Sequence, residues 1–150
     1  MSLALYTAEE TRALDRAAMD AGIPGRVLME RAGEAVVAAM ARRWSLSPGL
    51  RVAVLVGGGN NGGDGYVVAR RLRECGVTAD LIALAPVERL SGEAAEAASH
   101  WQDAGGILLP PETDLAGYDV LVDALLGIGL RSAVRSPFRE VIERMQSAAA

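Results

Sequence analysis

Short apolar runs alternate along the chain with segments whose apolar residues recur every three or four positions. The runs have the length of β-strands, and the periodic segments have the spacing of one face of an α-helix. The pattern predicts helices over residues 8–21, 24–44, 65–74, 88–104 and from 137 onwards, and strands over residues 52–56, 78–84, 107–109 and 118–126. Strands that alternate with helices predict a Rossmann-like, three-layer αβα fold with a mostly parallel sheet, in which two helices precede the first strand.

The first two helices have recognisable start signals. Thr7-Ala8-Glu9-Glu10 has the spacing of a capping box, so the first helix begins at Ala8. Pro24 is expected at the first position of the second helix or in the turn before it.

Glu30 of the second helix is expected to be a solvated carboxylate, although it could also reach a ligand cleft. The apolar stripe of the second helix consists of Val27, Leu28, Ala32, Ala35, Val36, Ala39 and Met40. Because both helices precede the first strand, we expect them to cover the sheet or to cap the ligand cleft.

The stretch from Gly57 to Gly65 contains six glycines in nine residues and lies between the first strand and the next helix. Glycine lacks the Cβ atom that would keep a ligand away from backbone N–H groups, and it readily adopts positive φ. Free N–H donors at the start of a helix favour an anion, so the stretch is typical of a phosphate site. The alternative is a tight turn whose glycines only let the helix pack on the strand. Asp64 is expected at the N-cap or in the first turn of the helix.

Two common nucleotide-binding motifs fit this stretch poorly. Residues 57–62 match the glycine spacing of the dinucleotide fingerprint, but that motif needs an acidic residue at the end of the second strand. Here Asp80 lies inside that strand and Glu88 lies beyond it. The phosphate loop of nucleotide hydrolases ends in Gly-Lys-Ser/Thr, and the chain contains no lysine. The absence of lysine also excludes Schiff-base chemistry.

Asp123 is the second position with candidate chemistry, because it interrupts an otherwise apolar strand. A carboxylate is costly to bury without a partner. Ligands of parallel sheets bind outside the carboxyl ends of the strands, so we expect Asp123 to face the same crevice as Asn60 and Asn61. The alternative is that Asp123 only caps the turn that begins at Gly127. Residues 127–133 form a second flexible loop on this side, with Arg131 as a candidate phosphate partner.

Composition limits the class of protein. With 150 residues, of which 51% are hydrophobic, the chain is long enough for one packed domain. A net charge of −4 disfavours a general nucleic-acid-binding surface. One cysteine forms no internal disulfide, and neither a signal sequence nor an apolar run of about 20 residues is present, so we expect a cytoplasmic protein without a membrane span. His100 is expected on a surface helix, away from catalysis.

Three motifs in order resemble the NAD(P)H-hydrate epimerase family, the YjeF N-terminal domain. They are residues 59–65 with Ala69-Arg70 after them, residues 123–130, and residues 28–33, where the family more often has Asn in place of Arg31. The resemblance implies conversion of the R epimer of hydrated NADH or NADPH (NADHX or NADPHX) into the S epimer. It also implies coupling to an ATP- or ADP-dependent dehydratase, in a separate or a fused chain, that restores the reduced nucleotide.

The resemblance also implies roles for individual residues. One potassium ion per subunit would be ligated by Asn61 and Asp123, whose oxygens suit a hard cation. Asp123 is the expected catalytic acid or base, and Asp64 is the second candidate. The implied substrate-binding residues are Asn60, Asn61, Gly62, Gly63, Asp64, Gly127, Ile128, Gly129, Leu130, Arg131, Ser132 and Ala133.

One departure from the family concerns a further strand that ends in Asp-x-Pro-Ser-Gly, whose Asp and Ser contact ligand and potassium; nothing in this sequence matches it. The strand around Asp123 is also too apolar for an exposed edge. We therefore expect either a single domain without its last strand, or an edge that another chain completes. The sequence leaves open whether two copies of the chain form a homodimer, through this edge or through the first helices.

Two other functions compete with the epimerase. A non-catalytic module of the same fold would keep a nucleotide or ADP-ribose cleft for scaffolding, but it has no evident use for the oxygen donors Asn60, Asn61 and Asp123. An NAD-dependent oxidoreductase is disfavoured, because the ribose-binding acid is missing and no cleft His or Lys is present for hydride transfer.

Overall fold

A computed structural model of the chain describes residues 5–148. A short 3-10 helix covers Val87–Arg89. The α-helices in the described range are α1 (Ala8–Asp20), α2 (Gly25–Ala41), α3 (Asn60–Glu74), α4 (Gly92–Asp103) and α5 (Phe138–Ala148). The strands are β1 (Arg51–Val56), β2 (Thr78–Ala83), β3 (Leu108–Leu109) and β4 (Val120–Ala124). The predicted order of helices and strands is confirmed.

The four strands form one parallel sheet in the order β3-β2-β1-β4, which confirms the predicted fold class. The chain passes from β1 towards β3 on one side and then returns to β4 on the other side. This reversal creates a crevice at the carboxyl ends of β1 and β4, where ligands of such sheets bind. Among residues 5–148, β4 pairs with β1 alone and is an edge strand.

The core lies on both faces of the sheet. Consecutive residues of a strand point in opposite directions, so the side chains of β1 alternate between the two faces. Val52, Val54 and Val56 lie in a cluster with residues of α2, α3 and α4, whereas Ala53 and Leu55 lie in a cluster with Val141 of α5 and its neighbours. Each of these β1 side chains is at most 1% exposed. β1 therefore fixes the position of the turn that follows it.

The predicted stripe of α2 is wrong as the face that packs on the core, although Leu28 and Ala32 line a cavity beside the sheet. Only Met40 of the predicted stripe is buried, and the residues that are buried on this helix are Met29, Gly33, Val37 and Met40. Gly33 decides the face, because a Cβ there would lie 2.5 Å from Val67 Cγ1 on α3. Since α2 is apolar on most of its circumference, spacing alone could not show which stripe faces α3. The exposed residues of the predicted stripe are Ala32, Ala35, Val36 and Ala39.

α3 begins at Asn60, five residues before the predicted start at Gly65. The second half of the glycine-rich stretch is therefore helical. Asp64 is the fifth residue of this helix, so its assignment to the N-cap or first turn is wrong; the N-cap is Gly59. Glycine has a low helix propensity, which is why sequence spacing missed this part of the helix.

Several other boundaries are narrower than predicted. α2 ends at Ala41, α4 begins at Gly92, β2 ends at Ala83 and β4 covers Val120–Ala124. Element ends are the least certain part of a sequence-based assignment, because the last turn or pair depends on local hydrogen bonds. No helix in the described part of the chain is both long and apolar enough to span a membrane.

α1 has the predicted capping box and an unpredicted exposure. The Thr7 side chain accepts a hydrogen bond from the Glu10 backbone N–H at 3.2 Å, and the Glu10 carboxylate accepts one from the Thr7 N–H at 2.7 Å. None of the residues of α1 is buried. Leu14, expected in an apolar stripe, is 52% exposed. α1 therefore adds little to the core. It lies over the carboxyl end of the sheet, where some of its residues line a cleft.

Glu30 is not a solvated carboxylate, because it joins α2 to α3. Arg70 and Arg71 of α3 form ion pairs with it at 2.5 and 3.0 Å, and Arg71 also pairs with Glu34 at 2.5 Å. Both arginines bind Glu74 of their own helix. The side chain of Arg70 is only 15% exposed. The network therefore holds the two helices in register beside the sheet.

Replacement of Glu30 by Gln is expected to lower the free energy of unfolding by about 2 kcal/mol, because two charge-assisted hydrogen bonds are lost beside the partly buried Arg70. Chemical denaturation followed by tryptophan fluorescence measures the change. Glu34→Gln is the matched control: Glu34 is half exposed and pairs with Arg71 alone, so its loss should be about 0.5 kcal/mol. Equal losses in both variants would contradict the prediction.

Candidate functional site

A cleft of about 930 Å³ opens at the carboxyl ends of β1 and β4. It is bounded by the turn from β1 into α3, by the segment after β4, and by one face of α1. Small-molecule and cofactor sites typically have volumes of about 300–1,000 Å³. Both the position and the size of this cleft are therefore those of a ligand site in a parallel α/β sheet.

Glycines hold the turn from β1 into α3 tightly against its neighbours. A Cβ on Gly62 would overlap the carbonyl oxygen of Gly57, and a Cβ on Gly57 would overlap that of Leu125. None of the glycines from Gly57 to Gly65 has a positive φ, so close packing rather than left-handed backbone explains Gly57 and Gly62. Gly62 and Gly63 are buried, and the structure does not bring these two candidates to the cleft surface.

Asn60 and Asn61 are the first two residues of α3, and both line the cleft. Asn61 Nδ2 donates a hydrogen bond to the carbonyl oxygen of Leu126 at 3.2 Å, which ties the start of the helix to the segment after β4. No side chain caps α3. The backbone N–H groups of its first turn therefore remain available to an anionic ligand group.

Asp64 is a half-buried carboxyl on the wall of the cleft. Burial raises the pKa of Asp64 from 3.8 to about 6, and the nearby carboxylate of Asp15 adds to the increase. Burial and a like charge both disfavour the ionised form of a carboxyl group. A carboxyl with a pKa close to neutrality exchanges protons readily at physiological pH, which is the property of a general acid or base.

The opposite wall is formed by the segment after β4. Gly127, Ile128, Gly129, Leu130, Arg131 and Ser132 line the cleft as the sequence predicts, and Ala133 is not among the lining residues. Gly127 lies against the start of α3, because a Cβ there would be 3.0 Å from Asn61 Cβ. The structure therefore brings together two stretches that lie more than 60 residues apart in the sequence.

The sequence predicts that the first two helices cover the sheet or cap the ligand cleft, but sequence reasoning missed which residues of α1 line it. Thr11, Arg12 and Asp15 line the cleft, and Arg12 Nη2 donates a hydrogen bond to the carbonyl oxygen of Ile128 at 2.6 Å. This bond joins α1 to the opposite wall. The spacing of these residues on one helix face was visible in the sequence. Without the position of that helix in the fold, however, its polar residues are predicted to face solvent.

Asp123 does not line the cleft. It is the register partner of Leu55, whose side chain packs on the α5 side of the sheet, so Asp123 points to the face opposite α3. Its side chain is exposed, and Oδ1 accepts a hydrogen bond from the Leu125 N–H at 3.0 Å. This bond stays at the end of β4 and does not reach the turn at Gly127 that Asp123 would cap in the alternative to a role in the crevice. The structure brings Asn60, Asn61 and Asp64 together and leaves Asp123 apart from them.

The residues implied for potassium carry side-chain oxygens, which suit a hard cation. Two such residues supply only part of a coordination shell, since Ca²⁺, for example, takes about six to eight oxygen ligands. Asn61 lies on the cleft wall, whereas Asp123 lies on the other face of β4. Within residues 5–148, no cluster of three or more His, Cys, Asp or Glu side chains is placed to hold a metal ion.

A family model described as "YjeF-related protein N-terminus" matches residues 25–150. The chain belongs to this family. The match begins at the first residue of α2, so the cleft residues of α1 precede the matched segment. The membership confirms the family that the three sequence motifs indicated.

Individual relatives agree with this membership. The chain is 44% identical over 133 residues to the NAD(P)H-hydrate epimerase of Rhodobacter capsulatus, a match that covers 84% of this chain and 63% of the relative. It is 38% identical to the bifunctional NAD(P)H-hydrate repair enzyme Nnr of Escherichia coli, over 95% of this chain and 28% of that enzyme. The chain thus spans less than two thirds of the length of these relatives.

A solved structure has the same fold. The crystal structure of the yeast protein YNL200c superposes with a TM-score of 0.80 at 25% sequence identity, and the match covers 97% of this chain and 66% of the yeast chain. The similarity extends over nearly all of the described elements, and it supports the three-layer fold independently of the sequence motifs.

Proposed function

We propose that the protein converts the R epimer of NADHX or NADPHX into the S epimer. Family membership and the names of its relatives support this reaction. The observation that carries it is the Asp64 carboxyl, which is half-buried in a cleft of dinucleotide-binding size at the switch point of the sheet. A scaffold needs only a cleft, whereas an epimerase also needs a group that exchanges protons near neutrality.

Epimerisation inverts the ring carbon that carries the hydroxyl group. The hydroxyl group leaves and returns, or the ring opens and closes, and both routes require proton transfer at an oxygen atom. We assign this transfer to Asp64. In the first route, neutral Asp64 gives its proton to the departing hydroxyl group, which leaves as water, and the carboxylate then takes a proton from the water that adds to the other face. Asp123, the first candidate from the sequence, lies outside the cleft.

In this proposal the phosphates of the dinucleotide bind in the cleft beside Arg12, Arg131 and the start of α3. Arg12 and Arg131 line the cleft beside the segment after β4. Guanidinium groups form strong hydrogen bonds with phosphate oxygens, and the uncapped start of α3 adds backbone N–H donors. The arrangement holds the nucleotide portion in place while the ring reacts at Asp64.

Recovery of reduced nucleotide tests the reaction directly. The protein is mixed with both epimers of NADHX, an S-specific dehydratase and its nucleotide cofactor, and the absorbance of NADH is recorded. Recovery beyond the S fraction, after subtraction of spontaneous epimerisation, is the expected result. Recovery that stops at the S fraction would contradict the proposal. If NADH or ADP-ribose nevertheless bound in the cleft, the scaffold interpretation would replace it.

The same assay tests the potassium site implied by the resemblance. We propose that potassium supports the reaction through Asn61 and Asp123, and the assay is repeated in potassium and sodium at equal ionic strength. Activity that depends on potassium in the wild type and is lost in Asp123→Ala would support the site. Equal activity in both salts would contradict it.

Three further assignments belong to this proposal. We propose functional coupling to a dehydratase, and the match to bifunctional repair enzymes supports it. A homodimer and a cytoplasmic location stay predictions from the sequence. Size-exclusion chromatography with light scattering tests the first of these, and localisation of the tagged protein tests the second.

A further inference from the structure

A second cavity of about 200 Å³ opens beside the cleft, between α1, α2 and the start of α3. We call it the side pocket. Asp15, Asn60 and Asp64 line both the cleft and the side pocket, so the two cavities adjoin at these residues, which we call the entrance to the side pocket. Met19, Leu28, Met29 and Ala32 also line the side pocket, together with Gly25 and Glu93. The side pocket therefore combines a polar entrance with apolar side chains on the rest of its wall, where Glu93 is the one further charged group among the residues that the structure describes.

One face of α1 follows the whole length of this composite cavity. Thr11, Asp15 and Met19 are spaced by four residues, and such residues lie above one another on a helix. Thr11 lines the cleft, Asp15 lines the entrance and Met19 lines the side pocket. None of the residues of α1 is buried in the core. α1 therefore contributes to the wall of the cavity rather than to the core.

The charges along the cavity are separated by sign. Arg12 and Arg131 line the cleft alone, whereas Asp15 and Asp64 stand at the entrance to the side pocket and Glu93 of α4 lines it. A phosphate group is attracted to the guanidinium end and repelled by the carboxyl groups at the other end. The distribution fixes one orientation for a ligand that has phosphates at one end and a neutral ring at the other.

The volume of the side pocket limits what can enter it. At about 200 Å³ it is smaller than the roughly 300–1,000 Å³ of sites for drug-sized ligands, so it can admit a single ring but not a nucleotide. Apolar side chains suit the faces of a ring, and carboxyl groups at the entrance accept hydrogen bonds from hydroxyl and carboxamide groups. A hydrated dihydronicotinamide ring is neutral and carries one of each.

We propose that the side pocket is the subsite for the hydrated nicotinamide ring, and that α1 supplies one of its walls. This inference rests on the proposed function. With the ring inserted, its hydroxyl group lies at the entrance beside Asp64, while the pyrophosphate lies between Arg12, Arg131 and the start of α3. Asp15 and Met19 are then positioning residues that hold the ring against Asp64.

Filling the side pocket separates ring binding from phosphate binding. Ala32 is exposed on α2 and lines the side pocket, so Ala32→Phe occupies the subsite without altering the core. We expect the Kd for NADH, measured by calorimetry, to rise about tenfold, while the Kd for ADP-ribose, which lacks the ring, changes less than about twofold. Ala38→Phe on the exposed side of the same helix is the matched control, and it should change neither value.

A second variant keeps the test independent of the folding of the first. Met19→Trp fills the side pocket from α1, and we expect the same selective loss of NADH binding. If both variants bound NADH as tightly as the wild type, or lost ADP-ribose equally, the subsite would be wrong. If the wild type were active and the filled variants kept its KM for NADHX, the subsite would be wrong and the proposed function would stand. A wild type that bound neither NADH nor ADP-ribose and epimerised nothing would overturn both.

Discussion

Replacement of Asp64 by Asn is expected to lower the rate of epimerisation by about a hundredfold to ten-thousandfold, the range for removal of a general acid or base. An amide has nearly the shape of the carboxyl group but cannot give up or accept the proton of the hydroxyl group. The binding of ADP-ribose should be unchanged, because its phosphates lie at the guanidinium end of the cleft. The coupled NADH assay and calorimetry measure the two effects, and a variant that kept wild-type turnover would contradict the role of Asp64.

The raised pKa of Asp64 also predicts the pH dependence. Its pKa is about 6 in the folded protein, against an ordinary value of 3.8. The folded state therefore retains a proton that the unfolded state has lost, so Asp64 stabilises the fold at low pH and this contribution disappears as the pH rises through about 6. Turnover that depends on the neutral carboxyl should decline over the same range. In Asp64→Asn, neither the free energy of unfolding nor the residual turnover should show this decline near pH 6.

Asp15 provides a second check on this assignment. Its carboxylate contributes to the raised pKa of Asp64, although burial is the larger cause. Asp15→Asn should therefore shift the decline in turnover to lower pH without removing it, because the amide no longer repels the negative form of Asp64. Asp20, which lies at the end of α1 and does not line the cleft, gives the matched control. Equal shifts in Asp15→Asn and Asp20→Asn would show an effect of net charge alone.

The sequence allowed the architecture and part of the site to be predicted, because those features depend on local patterns. The β1 strand is an uninterrupted apolar run, and the periodic spacing over residues 88–104 predicts the helix whose buried residues are Ala94, Ala97, Ala98 and Trp101. The expected crevice exists because parallel strands with a reversal of order leave a gap at their carboxyl ends. Asn60, Asn61 and Asp64 lie there because the start of α3 follows β1 directly.

What could not be predicted depends on which side of an element faces its neighbour. α2 is rich in alanine on several faces, and only the close approach at Gly33 selects the buried one. Residues alternate between the faces of a strand, so a position near the carboxyl end of β4 was insufficient to place Asp123 in the cleft. Thr11, Arg12 and Asp15 are residue types that are common on solvated surfaces. Their place in the cleft therefore follows only from where α1 packs in the folded protein.

Gly62→Ala is expected to lower the free energy of unfolding by about 3 kcal/mol, the upper end of the usual cost of overpacking. Alanine in a helix is favoured over glycine by about 1 kcal/mol, so at an open position the substitution would stabilise α3. At Gly62 the new Cβ overlaps the carbonyl oxygen of Gly57, which belongs to the backbone and cannot rotate away as a side chain could. The start of α3 would have to move away from the end of β1, and Asn60, Asn61 and Asp64 would move with it.

Gly59→Ala is the matched control, because a Cβ at Gly59 has no heavy atom within 4 Å and φ there is −103°. Gly59 is the N-cap of α3, where alanine is a poorer residue than glycine, and the expected loss is no more than about 1 kcal/mol. Thermal unfolding should show a decrease in Tm of about 6–12 °C for Gly62→Ala, since each kcal/mol corresponds to about 2–4 °C in a domain of this size. Similar decreases in the two variants would mean that loss of glycine flexibility, rather than the contact with Gly57, limits this turn.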